Sequence, residues 1–417
     1  MNTLFQRTLF TACITAINLG SSIGTPADAD VVADWNNAAL DAIRAERTAP
    51  PIASRSLAIL NVSIYDAVNG IARTHEPYLV QSAVAASASR KAAASAAAHE
   101  ALVNLFPASG SSFDALHAAI LAGIPNGPQK TAGITWGEFV ANQILAARAN
   151  DGHDAIVPPP GGSGPGVWVP TPPAFFPYLL PQWGFVVPFG MSSSSQFSQS
   201  GPPSLDSQQY AADYEEVKEL GALVGSTRTE EQTEIALFWA DGAGTETPPG
   251  HWNSIAQIIG AAQGNTLEEN ARLFALLNIA MADAAICSWD AKYTFHFWRP
   301  VTAIAFAEPE LNWMSFIVTP PFPDYTSGHS TFSAAAATVL PLFYGTEDLP
   351  FTVGSDFLPD VYRSFPTCFD AAEEAAVSRI YGGIHFRSAS EDGLQAGTSI
   401  GEWTVTHYLL PSYNRGR

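Results

Sequence analysis

Three runs of residues between positions 289 and 392 concentrate the reactive side chains of this sequence. Lys292 and Arg299 bracket an aromatic stretch that ends at Pro300. Ser327, Gly328 and His329 follow one another. Ser378 and Arg379 precede His385. A multiply charged oxyanion needs fixed positive charge and directed donors. Arg299 and Arg379 offer forked donors that keep their proton, and Lys292 adds a point charge. Ser327 offers a hydroxyl, and Gly328 lets a backbone N–H come close at the first turn of a helix, where anions are favoured. Two histidines divide the remaining work: one bonds the central atom, and the other moves protons near neutral pH. The set suits a tetrahedral or trigonal-bipyramidal oxyanion.

Each part alone has an ordinary reading. Arg299-Pro300 is also a plain helix end, Ser378-Arg379 a solvated pair, and His385 a core histidine bonded to a carbonyl. The joint order Lys-x6-Arg-Pro, Ser-Gly-His and Ser-Arg-x5-His within about a hundred residues is far more specific. It resembles the three-part signature of the superfamily that unites type 2 phosphatidic acid phosphatases with vanadium-dependent haloperoxidases. The resemblance implies that Lys292, Arg299, Arg379, Ser327 and the Gly328 N–H bind the equatorial oxygens of vanadate or phosphate. His329 would be the acid–base residue beside the apical oxygen. His385 would bond to vanadium, or attack phosphorus in a phosphatase. Two departures stand out: Thr326 replaces the usual proline before Ser-Gly-His, and Ala389 replaces an aspartate four residues after the last histidine. The second removes an orienting partner for His385.

Within the superfamily the haloperoxidase reading is preferred: halide oxidation with hydrogen peroxide, acting on a small organic substrate. The chain has a helical block before the signature that compact secreted acid phosphatases lack. Trp289 and Phe322 match positions lined by Trp and Phe in haloperoxidases, although core packing explains them equally well, and Phe322 resembles the chlorinating pattern. Asp241, after Trp239-Ala240, resembles an aspartate that buttresses the last arginine. Asp34-Trp35-Asn36, Tyr65-Asp66-Ala67-Val68 and Trp298-Arg299-Pro300 resemble exported bacterial members. The alternative is a secreted acid phosphatase working through a phosphohistidine on His385. A third reading, a protein that binds vanadate or phosphate without turnover, leaves both histidines without a task.

The elements that position these residues read as all-α: two packed helical bundles joined by long irregular loops. Residues 30–155 form the first bundle, 156–206 a Pro/Gly/Ser-rich connection, and 207–417 the domain with the site. Leu57, Leu60, Ile64 and Val68 recur at helical spacing, with Asn69-Gly70 as a stop. Alanine-rich 83–105 and the segments 111–123 and 130–149 continue the helical pattern. The connection carries enough aromatics to pack over helices, with a role at a pocket mouth as the sharper option. Helices follow at 207–224, 229–240 and 251–263, with Thr247-Pro248-Pro249-Gly250 read as a break. Thr266 and Glu269 form a capping box for the longest helix. Its pattern runs through Lys292 toward Pro300, which would put Lys292 and Arg299 on one face. Ser327 opens a helix to about Phe343, Asp370 and Glu373 open the helix carrying Arg379, and Ser388 with Glu391 boxes the last. No stretch alternates as a strand.

A net charge of −20 over 417 residues excludes a polyanionic partner such as nucleic acid, but a local cationic pocket survives it. Lysine is scarce (Lys91, Lys130, Lys218 and Lys292), which makes Lys292 conspicuous. Arg7, the apolar residues 8–20 and Ala27-Asp28-Ala29 resemble an export signal cleaved before Asp30, which implies a secreted or periplasmic protein. No membrane anchor is expected, and a homo-oligomer stays open. Cys13 would leave with residues 1–29. Cys287 and Cys368 either pair or stay as buried thiols.

Overall fold

The computed structural model describes residues 30–82, 84–158 and 160–412; the expected export signal at 1–29 lies outside them. Among the described residues there are thirteen α-helices. The first five are α1 Val31–Glu46, α2 Pro50–Ala72, α3 Arg90–Leu105, α4 Gly110–Ala122 and α5 Pro128–Arg148. After the long connection come α6 Gln208–Leu220, α7 Glu230–Phe238, α8 Thr247–Gln263 and α9 Leu267–Phe295. The last four are α10 Pro300–Ala307, α11 Gly328–Tyr344, α12 Cys368–Tyr381 and α13 Arg387–His407. The described residues from Val31 onward form one compact unit. The helices before and after the connection share a continuous core, from Trp35 and Leu57 to Leu276 and Ile400.

The centre is α9. Thr266 caps it in a reciprocal box with Glu269, which satisfies two free N–H groups at its start. Its apolar residues face every direction, so it is buried on all sides, packed by α2, α11 and α13. By length and composition it is apolar enough to cross a bilayer, but 94% of that stretch is buried inside the protein. Helix α13 reaches α11 through a stripe of Gly393, Gly397 and Gly401. A Cβ on Gly397 would lie 2.3 Å from the Thr331 carbonyl oxygen, so only glycine permits this approach. The stripe holds the Ser327–His329 end of α11 against the start of α13.

Several boundaries differ from the sequence reading. Asn69-Gly70 does not stop α2, which runs on to Ala72; Gly70 instead makes room for Trp136, whose indole would sit 2.4 Å from a Cβ there. Thr247-Pro248-Pro249 is the first turn of α8 rather than a break, because proline is tolerated where the N–H groups have no helical partner anyway. Ser388 lies inside α13, and its N–H donates to Asp213, so it does not cap the helix. A short antiparallel hairpin, β1 Phe351–Gly354 with β2 Tyr362–Phe365, was not expected; four residues per strand are too few to show alternation. Cys287 and Cys368 are both free and buried, so the pairing option falls.

The connection is irregular, as expected, and packed down. Trp168 and Trp183 are buried. The Asp283 carboxylate of α9 accepts the backbone N–H groups of Phe189, Gly190 and Met191 at 2.6–2.7 Å. Asp66 does the same for Tyr78, Leu79 and Val80 at 2.7–2.8 Å. Both carboxylates are loop anchors, satisfying main-chain donors that would otherwise be buried unpaired.

Candidate active site

Helix α9 ends at Phe295, and His296 adopts a left-handed conformation at its C-terminus. Arg299 is therefore not on α9. It is the N-cap of α10, so the expected shared helical face with Lys292 does not exist. The reversal at 296–298 turns the guanidinium back toward the end of α12 instead. Its Nε donates to the Phe322 carbonyl at 2.8 Å. Its Nη1 donates to the Ile384 carbonyl at 2.6 Å and reaches His385 Nε2 at 3.0 Å. Nη2 has no protein partner although the residue is fully buried. A buried guanidinium N–H without an acceptor is costly, so this donor is poised for an external one.

Arg379 sits in the last turn of α12. Its Nη2 donates to the Trp239 carbonyl, its Nε to Ser378 Oγ at 2.9 Å, and Nη1 reaches His329 Nε2 at 3.3 Å. Burial lowers both arginines to about 10, and Asp324 and Asp241 respectively oppose that fall. Ser327 is the N-cap of α11, its Oγ accepting the Ser330 N–H. Gly328 and His329 occupy the first turn, where N–H groups point outward to an anion.

Lys292 is less exposed to the cavity than its expected role required. Its ammonium donates to the carbonyls of Pro323, Asp324 and Thr326, which uses all three of its protons. It pins the turn before Ser327, and it lies 5.0 Å above the Phe322 ring. Burial drives its pKa well below the usual lysine value, with Arg299 adding and Asp324 opposing.

The residue that the sequence reading missed is Asp324. Its buried carboxylate places Oδ1 3.0 Å from His385 Nδ1 and 4.0 Å from Arg299 Nη1. The approach to Nδ1 is close but off the ideal hydrogen-bond line, and Oδ2 has no hydrogen-bond partner. Burial raises Asp324 to about 7, against the pull of Arg299 and Lys292. The carboxylate absent at Ala389 is therefore supplied from the other side of the ring, by the turn that Lys292 pins. The run Pro323-Asp324-Tyr325 carried the signal; nothing local in it betrayed contact with a histidine sixty-one residues later. With a carboxylate beside Nδ1 and a guanidinium N–H on Nε2, the assigned tautomer puts the Nε2 lone pair among the cations. Burial, then the nearby cations, hold His385 and His329 well below the usual histidine range, so both are neutral.

A cavity of about 340 Å³ opens onto this group. Gly328, His329, Arg379, His385, Trp289, Phe322 and Asp241 all line it; Lys292, Arg299 and Ser327 stand behind the wall. The Trp289 and Phe322 rings pack at 4.9 Å. Leu179 brings the long connection to the cavity, its carbonyl accepting from Tyr293 at 2.6 Å. Asp241 does not hydrogen-bond Arg379. Both its oxygens lie 3.3 Å from His251 Nδ1, and it acts on Arg379 through charge alone. Burial pulls His251 down, but Asp241, with Glu246 and Asp356, outweighs it and raises the ring to about 9.

Buried cationic donors, a free helix start and a lone pair aimed among them suit a bound vanadate, whose oxygens need donors and whose metal needs one ligand. Comparisons agree. Residues 272–411 match the family model described as the VCPO second helical-bundle domain. The vanadium chloroperoxidase of Curvularia inaequalis is 25% identical over 85% of this chain and 78% of its own. A crystal structure described as the first bacterial vanadium-dependent iodoperoxidase superposes with a TM-score of 0.84 at 28% identity, covering 92% of this chain and 98% of that one. The apo form of a bacterial vanadium-dependent chloroperoxidase shares the fold, with a TM-score of 0.71 at 16% identity over 86% of this chain and 92% of its own.

Proposed function

We propose that the chain is a member of the vanadium haloperoxidase superfamily that oxidises halide with hydrogen peroxide at the cavity floored by His329, Arg379 and His385. The observation that carries this reading is that His329, Arg379 and His385 line one cavity, with the partnerless donor of the fully buried Arg299 behind its wall beside His385 Nε2. When bound, vanadate supplies a Lewis-acid centre that activates peroxide toward a halide. The chain's own residues do the rest. His385 Nε2 would be the ligand, and Asp324 beside Nδ1 would fix the ring so that Nε2 faces inward. Arg299 Nη2, Arg379, Ser327 and the Gly328 N–H hold the oxygens, and Lys292 adds charge from behind the turn. His329, at the cavity wall, would act as the acid–base residue that accepts a proton from the incoming peroxide.

Halide identity is left to assay, since the relatives are named for chloride and for iodide. Export of the chain, with cleavage before Asp30, is also proposed, on the sequence of residues 1–29; an N-terminus other than Asp30 in exported protein would refute it. For the reaction itself, purified protein is incubated with orthovanadate and assayed for chloride, bromide and iodide oxidation with peroxide, and for phosphate-ester hydrolysis in parallel. Vanadate-dependent oxidation lost in His385→Ala supports the proposal. Hydrolysis lost in that variant, with no halide oxidised, refutes it in favour of the phosphatase reading.

A further inference from the structure

Binding an oxyanion, a peroxide and a halide accounts for the polar floor of the cavity but not for its walls. Above His329 the lining is Leu179, Pro248, Ile317, Val318, Pro321 and Phe332. None of these can donate a hydrogen bond from its side chain to an oxygen or a halide. The volume, about 340 Å³, falls within the range typical of sites for small organic molecules. Apolar walls of this kind gain free energy only from an occupant that carries apolar surface.

The mouth has a second feature. The turn between α1 and α2 (residues 47–49) forms part of the cavity rim, and Arg47 leads it with a left-handed backbone conformation, φ 52°. Its guanidinium lies over Gly244, where a Cβ would come within 2.9 Å of Nη1. Other charged groups of the lining are already engaged: Asp241 by His251, Arg379 by Trp239 and His329. Among the described residues, Arg47 makes no ion pair and its guanidinium donates no hydrogen bond. In a chain of net charge −20 this is an unmatched cation at the entrance to an apolar chamber.

We infer that the outer cavity is a subsite for a small aromatic or alkenyl anion, a carboxylate or phenolate, seated with its charged group at Arg47 and its carbon framework against the apolar wall. The inference rests on the proposed halide oxidation and names its acceptor. The orientation follows from the charges: the anionic group faces the free guanidinium, so the electron-rich carbon points inward toward His329. The net step is R–H + X⁻ + H₂O₂ + H⁺ → R–X + 2 H₂O. Halide is oxidised by two electrons, the peroxide O–O bond breaks and accepts them, and the C–H proton leaves to water as the C–X bond forms. Transfer inside the cavity would favour this acceptor over equally reactive molecules in solution.

Binding is measured first, with no peroxide or halide, so that the subsite is tested apart from the reaction. The full-length protein, with and without orthovanadate, is titrated calorimetrically with 3-phenylpropanoate and with its neutral amide. The acid binds saturably and about fivefold tighter than the amide, the scale of an exposed ion pair. Arg47→Ala removes that preference without weakening the amide, and Arg47→Lys retains it. Equal binding of acid and amide, a preference that survives Arg47→Ala, or an acid that displaces vanadate would each overturn the subsite. In the second arm, 3-(4-methoxyphenyl)propanoate and its amide compete in the vanadate-loaded reaction with bromide and peroxide. A product ratio tilted toward the acid, relative to reagent hypobromite, supports halogenation in the cavity; the reagent ratio contradicts it. Acid preference in binding with no halide oxidation upholds the subsite and defeats the proposed reaction.

Discussion

Replacing Asp324 by asparagine separates two tasks that this carboxylate performs at the site. It balances the buried cations, and it orients His385. Oδ1 lies 4.0 Å from Arg299 Nη1, a separation at which an ion pair is worth about 4 kcal/mol at an effective dielectric constant near 20. Relief of the carboxylate's own burial offsets part of that, and breaking a buried pair from one side typically costs about 3–5 kcal/mol. Taking about 3 kcal/mol for ligand-free protein, the melting temperature of a chain this long falls by about 4 °C. The two ligands then diverge. Phosphate fills the cradle through its oxygens alone, and with one negative charge removed it binds Asp324→Asn at least as tightly as the wild type. Vanadate, in the proposed site, would also need the His385 lone pair. Loss of the orienting carboxylate weakens it about 10- to 100-fold, as for other outer partners of a metal-bound histidine. Calorimetric titration with each anion, beside thermal melts, reads both effects. Vanadate affinity unchanged in Asp324→Asn, or phosphate and vanadate weakened alike, would refute the orienting role.

Other outcomes follow from the same geometry. Gly397→Val pushes a Cβ and two methyl groups against the Thr331 carbonyl, 2.3 Å from the Cβ position. Parting α11 from α13 in this way destabilises the fold by more than about 3 kcal/mol in denaturant titrations and weakens phosphate binding. His251 is raised to about 9 in the folded chain. Its contribution is therefore complete below the unfolded value near 6.5 and is lost as pH rises through 9, amounting to about 3 kcal/mol at most. Unfolding free energies of wild type and His251→Gln should converge across that window; a constant gap contradicts the charged pair with Asp241. Burial raises Cys287 and Cys368 to about 12, so neither reacts with iodoacetamide at pH 8 until denaturant is added. A disulfide between them, found by peptide mapping, would contradict the fold.

Sequence made the site legible where the chemistry is local. Ser327, Gly328 and His329 are contiguous, and a serine N-cap before a glycine declares the helix start that follows. The Thr266–Glu269 box and the alanine-rich segments declared their helices for the same reason. What stayed hidden was set by tertiary contact. Lys292 and Arg299 fit a helical spacing, yet the His296 reversal separates them, and the helix is resumed by Pro300 at a position proline favours. Lys292 looked like a ligand and turned out to spend its three donors on the turn before Ser327. Asp324 is twenty-five residues beyond Arg299 and invisible as a partner of His385 until α10 and α12 are packed. Asp66 and Asp283 serve as loop anchors for main-chain donors distant in sequence, which local pattern does not reveal. Arg47 and Leu179 reach the cavity from segments whose patterns point nowhere near it.

The central claim is that His385 holds vanadate through Nε2 within the cradle of Arg299 and Arg379. X-ray absorption at the vanadium edge tests it directly on protein loaded with orthovanadate. The expected coordination shell is of oxygens and a single imidazole nitrogen, with that nitrogen lost in His385→Ala. An all-oxygen shell in the wild type, or a nitrogen that persists in His385→Ala, would contradict it.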